Sequence, residues 1–250
     1  MKEKLKCAMD LGEQMLLSGA EIHRIEDTMT RVLIALGGTR ADTFIITTCM
    51  IVSVHAPNGE VFSETRRLTT SSTDFEKLHL LNALSRRICS EEMTCEQIHA
   101  ELDKIKATKV YPLWVEFIAY ALITSSFTLF FGGDLVQSLI ALVIGAVMRA
   151  VILLADSTVK NKVFSKFVAS FVSTALAFWA VRLCLTDSFD EIIIGNIMPL
   201  IPGIGFTNSL RDIFTGDSIA GIIRLLEALI AALAIAAGYI VFMAVGGVSL

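Results

Sequence analysis

The chain has 250 residues, of which 54% are hydrophobic and 18% are charged, and its mean hydropathy is +0.67. This composition is too apolar for one soluble domain, and the charge is concentrated before about residue 110. The net charge of -4 and the lack of a sustained basic patch give no reason to expect nucleic acid as a partner. We predict a soluble α+β domain over residues 1–110 and a polytopic α-helical membrane domain over residues 111–250.

Cysteines and histidines follow no pattern that is typical of a disulfide framework or a metal site. The five cysteines are odd in number and lack CxxC spacing, so reduced thiols are expected. The four histidines form no HExxH motif, and we expect neither a metal nor a cofactor. The start of the chain is charged and amphipathic, so no signal peptide is expected and the first domain is placed in the cytoplasm.

The soluble region begins with two predicted amphipathic helices. Apolar spacing predicts the first over residues 3–17, and the capping-box pattern from Ser18 to Glu21 predicts the start of the second. Gly37 and Gly38 would end that helix. One side of the second helix carries side chains at ion-pair spacing, either a functional face or a solvated salt-bridged one: Glu21, Arg24, Thr28 and Arg31.

A β-rich segment and two further helices complete the soluble region. The run over residues 44–54 predicts one strand, which a tight Asn58-Gly59 turn joins to a partner strand over residues 61–66. After a loop over residues 69–73, helices are predicted with Asp74 and Thr94 as their N-caps.

Five apolar runs predict about five membrane spans. They cover residues 113–131, 135–155, 163–185, a broken run from 192, and 219–245. Basic residues cluster in alternate loops: Lys104, Lys106, Lys109, Lys160, Lys162, Arg211 and Arg224. The positive-inside rule therefore places the N-terminus in the cytoplasm and the C-terminus outside. We expect a multi-pass protein of the cell membrane, that is, the plasma or inner membrane.

The fourth run is interrupted by the sequence NIMPLIPGIGFTNSLRD. Pro199 and Pro202 each remove an amide donor, while Gly203 and Gly205 permit backbone turns that other residues resist. We predict a broken helix, which transporters use to line substrate and ion sites. A kinked packing element without a ligand is the alternative.

Ionisable residues within the apolar runs are the next candidates. Glu116, Arg149 and Glu227 must face a cavity, pair, or lie near an interface, because a charge at the bilayer centre costs about 2.5–3.5 kcal/mol. Arg149 could hold a substrate carboxylate or snorkel to the interface. A stripe of small residues, suited to packing within this chain or against another, comprises Ala228, Ala232 and Ala236.

Two segments, GAEIHRIEDTMTRVLIALG and MPLIPGIGFTNSLRDIFTGDSIAGIIRLLEAL, resemble the threonine/serine exporter family over nearly the whole chain. The resemblance is closest to the split form, in which a five-span subunit with a cytoplasmic domain works with a second, smaller membrane subunit. It implies an oligomeric efflux system for a small amino acid or a dicarboxylate such as succinate. The residues that match the family motifs are Gly19, Ala20, Glu21, Arg24, Glu26 and Arg31, then Pro199, Pro202, Gly203, Asn208, Arg211 and Asp212.

The leading hypothesis is a subunit of a secondary exporter, driven by an ion gradient because the sequence has no P-loop. Exposed amides at the break, with Arg211 or Arg149, would bind a carboxylate, while Thr207 and Asn208 would read a hydroxyl or amine. One alternative is a membrane-anchored hydrolase that uses Ser18 or Cys49 with His23 or His55. Another makes the N-terminal domain a regulatory or assembly module.

Overall fold

The computed structural model describes residues 1–68, 73–108, 111–159 and 161–246. The chain divides into two compact units. Unit 1 comprises residues 1–109 and 205–225, and unit 2 comprises residues 110–204 and 226–250. Lys109, Lys160 and residues 69–72 of the predicted loop lie outside the described residues. The domain boundary at residue 110 stays a prediction.

Unit 1 packs helices against a three-stranded antiparallel sheet of order β1-β2-β3. Its elements are α1 (Lys2–Leu17), α2 (Ile22–Ala35), β1 (Arg40–Ile46), β2 (Cys49–His55), β3 (Val61–Arg67), α3 (Phe75–Ser90) and α4 (Cys95–Lys106). The core includes the fully buried Met9, Met29 and Met50. Gly12 allows this close packing, because a Cβ there would lie 2.6 Å from the Met29 sulfur.

Local signals in unit 1 are confirmed where the partner lies a few residues away. The Asp74 side chain accepts a hydrogen bond from the Lys77 amide at 3.0 Å and caps α3. Thr94 and Gln97 form a capping box that begins α4. The Asn58-Gly59 turn joins β2 to β3, with Gly59 at a φ of 86°.

The prediction of a single strand over residues 44–54 is wrong. Thr47 and Thr48 form a turn between β1 and β2. The two strands pair antiparallel, and the pair next to the turn is Ile46 with Cys49. Both turn residues are β-branched, a type that favours strands, so the composition concealed the reversal.

The predicted capping box from Ser18 to Glu21 is also wrong. Ser18 is the C-cap of α1, Gly19 turns the chain with a φ of 86°, and α2 begins at Ile22. Glu21 occupies the N-cap position of α2, and its side chain makes no capping hydrogen bond. The exposed amides of this helix therefore need another partner.

Unit 2 and the segments that leave and re-enter it are helical. The bounds are α5 (Leu113–Phe130), α6 (Leu135–Val159), α7 (Lys162–Arg182), α8 (Asp190–Ile197), a short 3-10 turn (Met198–Leu200), α9 (Gly203–Thr215) and α10 (Ser218–Val245). Among the described residues, α5, α6, α7 and α10 are each long and apolar enough to cross a membrane. The segment from α8 to α9 is bent by 55° and counts as a fifth crossing if it is one broken span.

The surfaces of these long helices are apolar. Leu139 of α6, Leu154 of α6 and Leu233 of α10 are 63%, 68% and 69% exposed. Such exposure would be costly in water and is favourable in lipid. Together with the helix lengths, it identifies a multi-pass membrane protein whose small N-terminal region contains the three strands.

Close helix packing in unit 2 depends on two glycines that face threonines of α5. Thr124 and Thr128 are fully buried. A Cβ at Gly145 of α6 would lie 2.2 Å from the Thr124 hydroxyl, and one at Gly195 of α8 would lie 2.2 Å from the Thr128 hydroxyl. Both pairs of helices therefore approach at backbone distance.

Gly145→Ala is expected to lower the free energy of unfolding by about 1–3 kcal/mol, because the added methyl group overpacks this contact. Gly203→Ala is the matched control, since a Cβ there meets open space. Thermal unfolding of the purified protein compares the two variants with wild type. Equal midpoints for both would contradict the proposed packing role of Gly145.

The predicted stripe of small residues is only partly buried. Ala228 is buried, whereas Ala232 and Ala236 are exposed. Within unit 2, α10 instead buries Ile235 and Gly238, and a Cβ at Gly238 would lie 2.4 Å from the Phe167 carbonyl oxygen. Packing within the chain thus uses a neighbouring face of α10, and the interpretation of the stripe as a dimer face stays a prediction.

Candidate functional site

The N-terminal motif and part of the membrane motif meet within unit 1. Arg211 of α9 donates a hydrogen bond from Nη1 to Oε1 of Glu21 at 2.8 Å. The adjacent Asp212 accepts a hydrogen bond at Oδ1 from the Ile22 amide at 3.2 Å. A carboxylate from α9 thus satisfies a free amide in the first turn of α2, where the helix dipole also favours negative charge.

Asp212 is also half of a buried ion pair. The Oδ2 atom of Asp212 accepts a hydrogen bond from Nη1 of Arg224 at 2.9 Å. The side chain of Asp212 is 1% exposed and that of Arg224 is 12% exposed. Nη2 of Arg224 donates to the Ala20 carbonyl at 3.3 Å. Both carboxylate oxygens of Asp212 are therefore occupied by protein groups, which indicates a structural role rather than direct contact with a substrate.

The hairpin between α9 and α10 brings Asp212 and Arg224 together. Gly216 adopts a φ of 107° at the turn. Gly221 allows close approach, because a Cβ there would lie 2.8 Å from the Ser209 carbonyl oxygen. The sequence analysis used Arg224 only for orientation and missed this pair. Opposite charges on either side of a glycine-containing turn between two helices were the available signal.

Glu26 lies beside this network in unit 1. Its Oε1 accepts a hydrogen bond from the Ile45 amide of β1 at 2.7 Å. With residues 43–46 and 216–220 it lines a cavity of about 170 Å³. Burial raises the pKa of the Glu26 carboxyl, the hydrogen bond from Ile45 opposes the rise, and the negative charge of Asp217 adds to it. The Nδ1 atom of His23 lies 3.6 Å from Asp217 Oδ2.

The raised pKa of Glu26 makes the stability of unit 1 depend on pH. The folded state holds this proton more tightly, so the stabilisation is complete below the ordinary value of 4.5 and is lost as the pH rises through the folded pKa. Glu26→Gln keeps an oxygen acceptor for Ile45 and should remove that dependence. Chemical unfolding at about pH 5 and about pH 7.5 should show a smaller difference for the variant than for wild type. An unchanged difference would contradict the assignment.

The two arginines of the N-terminal motif are solvated. Arg24 and Arg31 are exposed, and Arg31 Nε pairs with Asp27 Oδ1 at 2.9 Å along α2. The predicted ion-pair side of this helix is therefore divided: Arg31 pairs within α2, whereas Glu21 pairs with α9. For Arg24 and Arg31, the interpretation as a solvated face fits the structure.

Inside unit 2, Arg149 of α6 pairs with Glu116 of α5. Nε of Arg149 donates to Glu116 Oε2 at 2.8 Å, and Nη2 donates to the same oxygen. The side chains are 15% and 25% exposed, and the guanidinium carbon lies 5.6 Å from the centre of the Tyr120 ring. This arrangement neutralises both charges between apolar helices, which snorkelling alone would not do.

The pair lies near the break in the fourth apolar run. Met148 precedes Arg149 and belongs to the same buried cluster as Leu200, the last residue of the 3-10 turn. Tyr120 packs against this cluster as well. The structure thus brings together, within unit 2, an ion pair and a helix break that the sequence analysis had singled out separately.

The break itself is confirmed, but its predicted cause is only half right. Pro199 lies in the 3-10 turn and Pro202 precedes α9. Gly203 and Gly205 lie within α9 and do not have positive φ angles, and a Cβ at either position would meet open space. The prolines, which lack an amide donor, account for the interruption.

Three other predicted pathway residues differ in their exposure and in the unit to which they belong. Thr207 is exposed and Asn208 is half-buried, and both belong to the part of α9 in unit 1. Glu227 is exposed on α10. The assignment of these three residues to a pathway stays a prediction.

Comparisons with known proteins agree with this architecture. The profile of the ThrE family, described as "Putative threonine/serine exporter", matches residues 6–246. Pheromone-regulated membrane protein 10 of Kluyveromyces lactis is 25% identical over 242 residues, which cover 91% of this chain and 24% of that protein. The "Probable threonine/serine exporter" of Mycobacterium tuberculosis is 25% identical over 242 residues, covering 96% of this chain and 46% of that protein. The chain therefore spans less than half the length of these relatives. No solved structure matches.

Proposed function

Because the chain belongs to the ThrE family of threonine/serine exporters, we propose that it is a membrane subunit of a secondary exporter for small carboxylate-bearing metabolites. The substrates would be threonine and serine, or a dicarboxylate such as succinate. The family is a transporter family and not an enzyme family, so membership argues against the hydrolase alternative. Ser18, one candidate nucleophile of that alternative, is only 4% exposed.

The Glu116–Arg149 pair beside the helix break carries the proposal. An arginine fork can bind a carboxylate through two parallel hydrogen bonds. Nε and Nη2 of Arg149 both donate to one oxygen of Glu116, Oε2, so the two donors already face a carboxylate. A substrate carboxylate would take the place of Glu116 at Arg149 while the pathway is open. When the substrate leaves, Glu116 would return and keep the arginine neutralised in the apolar unit.

Energy coupling, orientation and partners belong to the same proposal. The sequence contains no nucleotide-binding P-loop, which supports coupling to an ion gradient. The basic loops support a cytoplasmic N-terminus and an external C-terminus. An odd number of spans, reached if α8 and α9 form one crossing, supports a second and smaller membrane subunit that completes an oligomeric pathway.

Uptake into inverted membrane vesicles tests the function directly. Labelled threonine, serine and succinate are supplied in parallel, with and without a coexpressed smaller subunit. We expect uptake of at least one of them, dependent on an imposed ion gradient. Folded protein in the membrane without uptake of any substrate under either condition would reject the exporter assignment.

A further inference from the structure

Two buried polar side chains in unit 2 have no protein partner. Asn196 of α8 is 0% exposed, and neither its amide oxygen nor its amide nitrogen makes a hydrogen bond. Ser173 of α7 is 1% exposed, and its hydroxyl is likewise without a partner. Among the described residues of unit 2, no other buried side-chain oxygen or nitrogen atom is left unbonded. Each such atom costs about 1–3 kcal/mol when nothing satisfies it, so a water molecule or another ligand is expected to bond with it.

The two side chains lie at the same level of the helix bundle. Ala177 of α7 shares a buried cluster with Ile192 of α8, while Ala169 shares another with Leu200 after α8. The helix α7 and the segment from α8 to Leu200 are therefore antiparallel, because the higher-numbered α7 residue meets the lower-numbered residue of that segment. Ser173 is midway in sequence between Ala169 and Ala177, and Asn196 is midway between Ile192 and Leu200. This correspondence puts the two residues at matching positions along facing helices.

Neighbouring hydroxyls on α7 show that the unbonded state is specific to Ser173. Ser170 donates to the Ile235 carbonyl at 2.7 Å, and Thr174 donates to the Ser170 carbonyl at 2.8 Å. A serine or threonine in an apolar helix thus readily finds a backbone acceptor. Ser173 does not, although it lies near the middle of the 21-residue helix, at the depth where transporters bind their substrates.

The chemistry of the unbonded atoms selects the ligand. A cation would satisfy the oxygens of Asn196 and Ser173 and leave the amide nitrogen of Asn196 without an acceptor. An anion would satisfy the nitrogen and leave the amide oxygen without a donor. A hydroxyl group both donates and accepts, so it can bond to both ends of the Asn196 amide and to Ser173. This holds in either orientation of the amide.

We propose that Asn196 and Ser173 form a subsite that binds the hydroxyl group of the transported molecule. The inference rests on the proposed function and deepens it: the substrate is a small hydroxy acid rather than an unsubstituted one. Asn196 lies about one helical turn, ~6 Å, before Leu200, which packs with the residue next to Arg149. A carboxylate at Arg149 and a hydroxyl at Asn196 would then fix the two polar ends of one small molecule.

Pairs of molecules that differ by a single hydroxyl test the subsite: serine against alanine, threonine against 2-aminobutyrate, and malate against succinate. Inhibition of labelled substrate uptake in inverted vesicles, with the smaller subunit present if uptake requires it, measures the preference within each pair. Wild type should prefer the hydroxylated member of at least one pair by at least tenfold. Asn196→Leu and Ser173→Ala should remove most of this preference, so that both members of a pair inhibit uptake to a similar extent. Ser170→Ala, which removes a hydroxyl already bonded to Ile235, should keep it.

Other outcomes distinguish the competing explanations. A wild-type protein without any preference, or variants that retain it, would overturn the subsite and leave Asn196 and Ser173 bonded to water only. If no substrate is taken up, the proposed function fails, but melting of the purified protein still tests the subsite, because a bound ligand raises the midpoint. Stabilisation by the hydroxylated member of a pair, lost in Asn196→Leu, would support it. A higher midpoint for Asn196→Leu with no ligand dependence in either protein would reject it.

Discussion

Replacing Asp212 by alanine is expected to destabilise unit 1 by about 3–5 kcal/mol. The change leaves Arg224, which is only 12% exposed, without its carboxylate partner and leaves the Ile22 amide without an acceptor. An unpaired buried charge is far more costly than the loss of an exposed one. Hydrogen exchange on peptides from α1 and α2 in the purified full-length protein reports the local free energy of opening.

Arg211→Ala provides the matched control for this experiment. Arg211 neighbours Asp212 on α9 and also pairs with a residue of the N-terminal motif, yet its side chain is 61% exposed. Its loss should change the free energy of opening by less than about 1 kcal/mol. Similar protection in the two variants would contradict the role assigned to Asp212. Asp212→Asn should be intermediate, because an amide oxygen can still accept from Ile22.

Sequence reasoning succeeded in this protein where the physical cause is local. The long apolar helices, the Asn58-Gly59 turn and the caps at Asp74 and Thr94 depend on residues within a few positions of each other. The break at the two prolines is local for the same reason, since a missing amide acts within one turn of its own helix.

Sequence reasoning failed where the hydrogen-bond or ion-pair partner of a group lies far away in the sequence. The amide of Ile22 is capped by Asp212, 190 positions away, so the local Ser18–Glu21 pattern pointed to a box that does not form. Pairing of Arg149 with Glu116 over 33 positions is similar, because sequence shows that a buried charge needs a partner but not which one. Asn196 stood at the start of the quoted break, yet only the structure shows that its side-chain amide is buried and has no hydrogen-bond partner.

Arg149→Ala is expected to reduce transport at least about 100-fold, equivalent to about 2.7 kcal/mol. The variant lacks the fork proposed to bind the substrate carboxylate, and it also leaves Glu116 unpaired between apolar helices. Initial uptake rates in vesicles, normalised to the amount of protein in the membrane, measure the effect. Arg149→Lys keeps the charge but not the fork and should recover only a small part of the rate.

Two further variants separate a transport role from a structural one. Glu116→Ala with Arg149→Ala removes both charges, so it should restore thermal stability and remain inactive; recovery of transport would show that the pair serves stability alone. Arg182→Ala is the control. Like Arg149, Arg182 lies over an aromatic ring, with its guanidinium carbon 5.2 Å from the centre of the Phe178 ring, but it lies at the end of α7. The Arg182 side chain can reach the membrane interface, and its removal should leave the transport rate within about twofold of wild type. If Arg149→Ala and Arg182→Ala lose transport equally, intramembrane arginines are needed for folding in general. The carboxylate site would then have to lie elsewhere.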